Sequence, residues 1–590
     1  MSNTDDKEVQ LHGISASPGI CIGKAYLIGK EGVDVLEKYF IDQDRLQEEI
    51  HRFKAAVKSA KDELQGIIKT MPEELRQDAH ILEAHMVLFQ DKMLYGRTIE
   101  IIERELVNAE WALKIVVSDV KAMFDNMTDS YLRGRATDII HVSDSIMQNL
   151  AGTKTENIAA ISKRVILIAT DLSPAETSQI QLEKIMGFVT DHGGKTSHTG
   201  IIAQTLEIPA VLGIDNATSI IKNDDIIIVD GTTGIVIINP TDQTLIQFEE
   251  RKERYESHKA NITRDSHLPA ETADGIYMEV MGNIELPEEV VSVIHYGGDG
   301  IGLYRTEFQY LSRPDFPSEY ELFDRYKDVV EVMAPKPVTI RTFDISEDKK
   351  VPYVSRSSDA NPALGLRGIR YCLQKPDVFM TQLRAVLRAS AFGHVRILLP
   401  MVSSHEEIIA AKNILYKAAD SLAKEGVDFD ENIEIGVMIE VPSAAIMADV
   451  MAMEVDFFSI GTNDLIQYSL AVDRVNKDVA YLYQPLHPAI IRMIKYVIDV
   501  AKDKGVKVFM CGEMASDPIN IPILLGLGME NLSMNPQSIP AVKSMIKALT
   551  VKDAKPFVQE VLKETSTDAI IELVKDTYGS ILSDKIYSID

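Results

Sequence analysis

GIGLYRTE (300–307), LFDRYKDVVEVM (322–333) and PVTIRTFDI (337–345) decide the fold of the larger part of this chain. The first and third are short, apolar and β-prone, and each runs into an arginine and a carboxylate. The second carries its apolar residues at helical spacing. Strand, helix and strand in that order make one step of a parallel sheet. The rhythm continues to both sides, with further strand cores at YMEVMGNI (277–284), RILLPMV (396–402), IEIGVMIEV (433–441), FFSIGTND (457–464), KVFMCGE (507–513) and NLSMNP (531–536). HEEIIAAKNILYKAADSLAKEG (405–426) and AIIRMIKYVIDVAK (489–502) are amphipathic helical stretches between them. Eight such cores over roughly 300 residues predict a (β/α)8 barrel of the TIM type.

In that fold chemistry takes place at the C-terminal ends of the strands. Those ends are polar here: Asn283, Arg305 and Glu307, Arg341 and Asp344, Glu440, Asn463 and Asp464, Cys511 and Glu513, Asn535. One polar strand end is ordinary solvation, but seven of the eight cores supply one, which predicts a site. Arg305 and Arg341 follow apolar strand residues, and arginine grips phosphate through paired donors while staying charged. A rim salt bridge is the alternative for either one alone. Glu440 and Asp464 end consecutive cores, and two carboxylates there suit a hard divalent cation. A general base or a rim salt bridge fits those two residues equally well.

The chain before residue 242 reads differently. Residues 13–29, then VILIAT, IMGFVT, IIIVDG and GIVIIN from Arg164 onward, predict strands of a small α/β unit. Residues 37–150 interrupt it with FKAAVKSAKDELQGII, AHILEAHMVLFQ and WALKIVVSDVKAMF, which predict an all-helical insertion. Residues 242–266, with QFEERKERYESHKAN, are charged and helix-prone without a strong apolar stripe, as in a linker helix or a surface helix of either neighbour. Within the α/β unit, GGKTSHTG (193–200) precedes the apolar IIAQTL. It sets His198 where a loop turns into a helix. The glycines let the backbone approach an anion, and the helix start offers N–H groups and a positive dipole end to phosphate. Lys195 adds charge, and Thr196 and Ser197 can fix the imidazole tautomer that a histidine nucleophile needs. A turn followed by a polar helix start is the plainer reading of His198 taken alone.

With 590 residues the chain exceeds what one core supports, so two or more domains are expected. A formal charge of −28 argues against nonspecific binding to nucleic acid or an anionic membrane and suits a basic protein partner. No apolar run is long enough to span a bilayer, and the polar, acidic start is unlike a signal peptide. Three cysteines, Cys21, Cys372 and Cys511, form no disulfide framework and are expected as reduced thiols in a cytoplasm. His192 reads as a solvent or hinge residue, His80 and His85 as docking or packing residues, His487 as a turn, and Trp111 as a core anchor ahead of an interface residue.

DHGGKTSHTGIIAQTLEIPAV (191–211) resembles the phosphohistidine segment of the phosphoenolpyruvate-utilising enzymes. From GISASPGICIGKA (13–25) to IPAVKSMI (539–546) the chain is similar to the enzyme I family of the bacterial sugar phosphotransferase system, the phosphoenolpyruvate–protein phosphotransferases. The resemblance implies a phosphohistidine α/β domain (1–36 and 148–241), an inserted helical subdomain that binds the carrier protein HPr (37–147), a linker helix (242–266), and a phosphoenolpyruvate-binding (β/α)8 barrel that forms a homodimer (267–590). It makes His198 the phosphoacceptor and assigns phosphoenolpyruvate contacts to Arg305, Arg341, Asn463, Asp464 and Arg474. Glu440 and Asp464 become Mg2+ ligands. Cys511 becomes the acid that protonates the pyruvate enolate, for which a thiol has a suitable range. Cys21 and Cys372 are left as structural. Histidine and barrel fall in different domains, so a hinged swing is implied. The chain departs from the family pattern at Ser346 and Glu347, at Val475 and at Gly134. The rivals are pyruvate phosphate dikinase and phosphoenolpyruvate synthase, whose large nucleotide-grasp domain and Gly-rich loop are not visible, a phosphoenolpyruvate-responsive regulatory phosphoprotein, and an enzyme I paralogue serving a nitrogen-regulatory carrier. No additional N-terminal sensory domain is visible, which favours the sugar pathway.

Overall fold

In the computed structural model the chain divides into two units, residues 1–256 and 257–590. The division falls inside one long helix, Asp242–Asp265. The structure describes residues 8–28, 38–70, 82, 85, 86, 88, 89, 92–125, 130–151, 161, 163–177, 180, 183–194, 197–310, 313, 315–345, 362–474, 476 and 479–586.

The strands of the first unit are β1 (Val9–His12), β2 (Ile14–Ser17), β3 (Ile20–Leu27), β4 (Val165–Ala169), β5 (Ile185–Thr190), β6 (Ala210–Leu212), β7 (Ile226–Asp230) and β8 (Ile235–Ile238). They form one sheet in the order β1-β8-β7-β3-β4-β5-β6-β2. The centre, β3 to β6, is parallel, and the flanking pairs are antiparallel. β4 is buried along its whole length, as a run of Val, Ile, Leu and Ala between two covered faces demands. Leu167 and Phe188 pack on one face, Ile166, Ile168 and Val189 on the other. The sequence signals β3, β4, β5, β7 and β8. It does not signal the exposed edge strand β1 or the three-residue β6.

The insertion is helical as expected, with Leu46–Thr70, Arg97–Glu105, Ala109–Asp125 and Ser130–Ala151 as its main helices. Phe53, Ile102, Leu113, Val116 and Ile146 fill its core. Arg52 ties it together through Glu49 at 2.7 Å and Glu110 at 2.6 Å. Trp111 sits at the edge of that core and is only half-buried, with Lys38 and Lys114 over its ring, so it is a border residue rather than a central anchor. His85 is buried, and His80 lies outside the described residues. At the start of the Asp242–Asp265 helix, Phe248 is buried with Ile20, Ile228 and Ile237, and Arg251 pairs with buried Asp230 at 3.2 Å.

The second unit is a closed barrel. After a two-residue strand, β9 (Ala270–Glu271), come β10 (Tyr277–Ile284), β11 (Ile301–Arg305), β12 (Val338–Arg341), β13 (Val395–Leu399), β14 (Glu434–Ile439), β15 (Phe457–Ile460), β16 (Lys507–Met510) and β17 (Asn531–Met534). β10 to β17 pair in parallel in sequence order, and β10–β11 pairing closes the ring. These are the eight cores read from the sequence; β9 adds antiparallel to β10. Alternate residues face inward, so Met281, Leu303, Leu398, Met438, Phe457, Phe509 and Cys511 fill the lumen. Their neighbours, such as Ile340, Ile397, Val437 and Phe458, pack outward in the larger core. Each fully buried phenylalanine there contributes roughly 1.5–3 kcal/mol. Gly436 is required beside Phe457: a Cβ on it would lie 2.3 Å from the ring. Among the described residues, no helix is long and apolar enough to cross a membrane.

Candidate active site

The C-terminal mouth of the barrel gathers most of the charged residues the sequence places at strand ends. Arg341 and Arg305 are register partners on β12 and β11. The two are used differently. Arg341 is largely but not fully buried, with Nη2 donating to Glu307 at 2.9 Å and Nη1 paired to Asp344 at 3.2 Å. Those acidic neighbours hold its guanidinium firmly charged against the cost of burial. Arg305 is part-exposed and pairs with Glu285 at 2.6 Å. It stands at the rim rather than in the carboxylate cluster.

Asp344, Glu440 and Asp464 form that cluster, with one oxygen of each within 4.8 Å of the others. Glu440 is pushed up to about 8, first by burial and then by the charges of Asp464 and Asp344. One of its oxygens accepts the Met401 N–H at 2.6 Å. Met401 has φ 58, a left-handed conformation unusual for a methionine, and this turn is what aims its N–H at Glu440. Glu440, buried beside two further carboxylates and held above its ordinary range, marks a place where negative charge is crowded. An all-oxygen donor set of this kind fits a hard divalent cation.

Arg367 completes the cluster, and it is absent from the strand-end reading. Its Nε and Nη2 donate to the two oxygens of Asp344 at 3.0 and 2.9 Å, and Nη2 also reaches Asp464 at 3.2 Å. Nη1 donates to the hydroxyl of Tyr468 at 3.2 Å. It lies on the loop before the short helix Ile369–Gln374, turned inward by Gly368 at φ 57. An arginine framed by Gly365 and Gly368 is the signal that could have found it.

Asn463 and Arg474 form a second group. Asn463 donates to Glu513 at 3.0 Å and accepts the Glu513 N–H at 2.9 Å, while Arg474 lies 3.7 Å from the same carboxylate. Asn535 does not join either group; its side chain accepts from the Gln537 N–H. Cys511 lies in the lumen beneath the charged rim, 3% exposed, and burial pushes its thiol up. Asn283 donates to the Cys511 carbonyl at 3.0 Å. Cys21 and Cys372 are buried elsewhere. His487 caps the helix Pro488–Lys504, accepting from the Ala489 N–H at 3.2 Å. Ser346, Glu347 and Val475 lie outside the described residues, and Gly134 falls within the helix Ser130–Ala151.

In the first unit His198 is the first residue of the helix His198–Thr205. Ser197 caps it: its Oγ accepts the Gly200 N–H at 3.2 Å and donates to the Gly194 carbonyl at 2.7 Å. Gly193 has φ 111, a conformation that bends the preceding loop and is closed to most side chains. Thr199 Oγ1 reaches Asp171 at 3.2 Å, and Asp191 accepts from the Thr218 N–H and hydroxyl. Ile202 enters the core of the helical insertion and Ala203 the core under the sheet, so the helix is anchored on both sides. The loop-to-helix position read for His198 is therefore present in the fold. Lys195, Thr196 and the His198 side chain lie outside the described part, and His192 is exposed.

A barrel with arginines and clustered carboxylates at its mouth, in a chain that also carries a histidine-bearing α/β unit, has the groups that an enzyme handling phosphate would use. Comparisons with known proteins agree. Residues 259–551 match the PEP-binding domain of the PEP-utilising enzymes, residues 12–135 their N-terminal domain, and residues 161–234 their mobile domain. The chain is 45% identical to the phosphoenolpyruvate-protein phosphotransferase of Bacillus sp. (strain S), covering 97% of this chain and 99% of that one. It is 44% identical to that of Bacillus subtilis (96% and 100%) and 40% identical to that of Staphylococcus aureus (96% and 99%). The chain belongs to the PEP-utilising enzymes and, within them, to the phosphoenolpyruvate–protein phosphotransferase family of transferases.

Proposed function

We propose that this enzyme takes the phosphoryl group of phosphoenolpyruvate onto His198, releases pyruvate, and passes the group to the histidine of a small carrier, HPr. The observation that carries the reading is the joint presence, at one barrel mouth, of Arg341, the carboxylates Asp344, Glu440 and Asp464, and Cys511 in the lumen below. Phosphoenolpyruvate is an anion with two acidic groups, and Arg305 and Arg341 with Asn463 and Arg474 supply donors for both. Glu440 and Asp464 would hold Mg2+, with Asp344 beside them. Bound there, the ion supplies positive charge to substrate oxygens during phosphoryl transfer.

A free ring nitrogen of His198 attacks phosphorus as the bond to the enol oxygen breaks. The Cys511 S–H proton then moves to the methylene carbon of the enolate, giving pyruvate. The capped helix start beneath His198 favours the charge of the phosphorylated ring. A net charge of −28 suits a basic carrier, with the helical insertion as its docking surface. Dimerisation through the barrel is supported by Ile446, Met447, Met453 and Tyr496, which expose apolar surface on neighbouring helices of the second unit. A carrier-phosphorylating enzyme of this kind works in the cytoplasm.

The test is labelling of the purified protein from phosphoenolpyruvate with Mg2+, wild type against His198→Ala. Acid-labile label on wild type alone, transferable to HPr, is the expected outcome. Label on both proteins would remove His198 from the reaction. Label on neither would return the chain to a binding or regulatory role.

A further inference from the structure

Inside the barrel, Ser459 on β15 and Cys511 just beyond β16 are held side by side. Ser459 is the register partner of Phe509, and the Cys511 N–H donates to the Ile460 carbonyl at 3.1 Å. Both side chains therefore face the lumen, where Ser459 Oγ donates to Cys511 Sγ across 3.2 Å. Both residues are buried, and Met281, Leu303, Leu398, Met438, Phe457 and Phe509 make the lumen around the thiol apolar. The charged groups that face it are Arg305 from β11 and Arg341 from β12, which favour a thiolate, and Glu440 at the end of β14, which opposes one. Burial raises the thiol, and the Ser459 hydrogen bond acts against that rise. An anion in apolar surroundings is costly unless a donor meets it, far more so than a neutral thiol. Cys511 becomes that anion once it has given up its proton.

We propose that Ser459 is the positioning residue of the acid: its hydroxyl orients the Cys511 thiol and holds the thiolate left behind when the enolate is protonated. The proposal rests on the reading of Cys511 as proton donor. In the step the S–H bond breaks and its electron pair stays on sulfur. The carbon–carbon double-bond pair of the enolate forms the new C–H bond, and the enolate oxygen becomes the ketone oxygen of pyruvate. The thiolate is reprotonated by water. Ser459 touches neither phosphorus nor the metal carboxylates, so its removal leaves the binding groups in place.

The test uses the full-length protein with Ser459→Ala, Ser459→Thr and Cys511→Ala. Iodoacetamide alkylation of the Cys511-containing peptide is followed across pH by mass spectrometry, beside single-turnover pyruvate formation. Loss of one hydrogen bond to the charged form is expected to move the Ser459→Ala alkylation profile upward by about one to two pH units. Pyruvate formation in Ser459→Ala slows at the same time, while Ser459→Thr, which keeps the hydroxyl, stays with wild type. An unmoved profile in Ser459→Ala, with Cys511→Ala slow, overturns the role of Ser459 and leaves Cys511 as the acid. A moved profile with pyruvate formation unchanged in both Ser459→Ala and Cys511→Ala overturns Cys511 as the acid, and the catalytic role of Ser459 with it.

Discussion

Arg367 holds together charges that would otherwise repel. Its guanidinium meets both oxygens of Asp344 and one of Asp464, beside a Glu440 pushed up to about 8 by burial and by those same carboxylates. Truncation to alanine leaves the carboxylates without that partner, and breaking a buried pair in this way costs about 3–5 kcal/mol. Arg367→Ala should therefore lower the thermal unfolding midpoint in metal-free buffer, and added Mg2+ should recover more stability in the variant than it adds to wild type. Equal Mg2+ shifts in the two proteins would detach Arg367 from the cation site. Of the residues in this cluster, Arg341, Asp344, Glu440 and Asp464 are legible as strand-end groups, because an apolar run breaking into charge marks a barrel mouth. Arg367 is not, because it comes from a loop whose course is set by Gly368 packing against Met401 and Asp344. Nor does strand-end position tell the more enclosed Arg341 from rim Arg305, a difference made by the acidic partner each one meets.

At the scale of elements, the ends of β11 and β12 are clamped by a residue from a different helix. Gln382, fully buried on the helix Pro376–Ser390, accepts the Phe343 N–H at 2.9 Å and donates to Thr306 at 3.0 Å and Tyr326 at 3.2 Å. Thr306 in turn donates to the Arg341 carbonyl at 2.9 Å. Gln382→Leu leaves the Phe343 N–H without its acceptor and takes one bond from Thr306 and one from Tyr326, at a cost of about 1–3 kcal/mol. It should lower the unfolding midpoint and raise the KM for phosphoenolpyruvate, because the strand ends and following turns that bear Arg305, Glu307, Arg341 and Asp344 lose their brace. An unchanged KM in a folded variant would show that strand pairing alone sets those loops. The helix Glu319–Met333 carries a pH-dependent device: Glu321, pulled down to about 2 by the Ser318 N–H and hydroxyl and by Arg313, closes its capping box. A carboxylate with a depressed native pKa stabilises the fold above its unfolded value near 4.5 and loses that contribution as pH falls through about 2. The stability gap between wild type and Glu321→Gln should thus be largest near neutrality and shrink below pH 4.5 in thermal melts. The barrel strands were readable because each carries branched or aromatic residues and all but β13 run into a polar end. β1, β6 and β9 were not, since two to four residues carry too little periodicity and are set by the neighbours they pair with.

At the scale of the whole molecule, the histidine and the barrel mouth of the proposed reaction belong to two units. The His198 helix cannot travel alone, because Ile202 and Ala203 lock it into cores on both sides. Nor can the barrel mouth, built on closed pairing, reach out on its own. If His198 takes its phosphoryl group at the barrel and gives it up to a carrier elsewhere, the first unit has to move as a body. The Asp242–Asp265 helix is suited to carry that motion. Its early turns are fastened to the first unit by Phe248 and the Arg251–Asp230 pair, and the boundary between units falls further along it, after Glu256. Treatment with a short amine-reactive crosslinker, followed by isolation of internally linked protein of unchanged oligomeric size, should separate the two half-reactions. Molecules fixed in one arrangement can be labelled from phosphoenolpyruvate or can discharge label to HPr, and steady turnover, which needs both, should fall to near background. Cleaving a reducible linker should restore it. Full turnover in the linked protein would mean that His198 serves both partners from one position, and the helix would then be a spacer rather than a hinge.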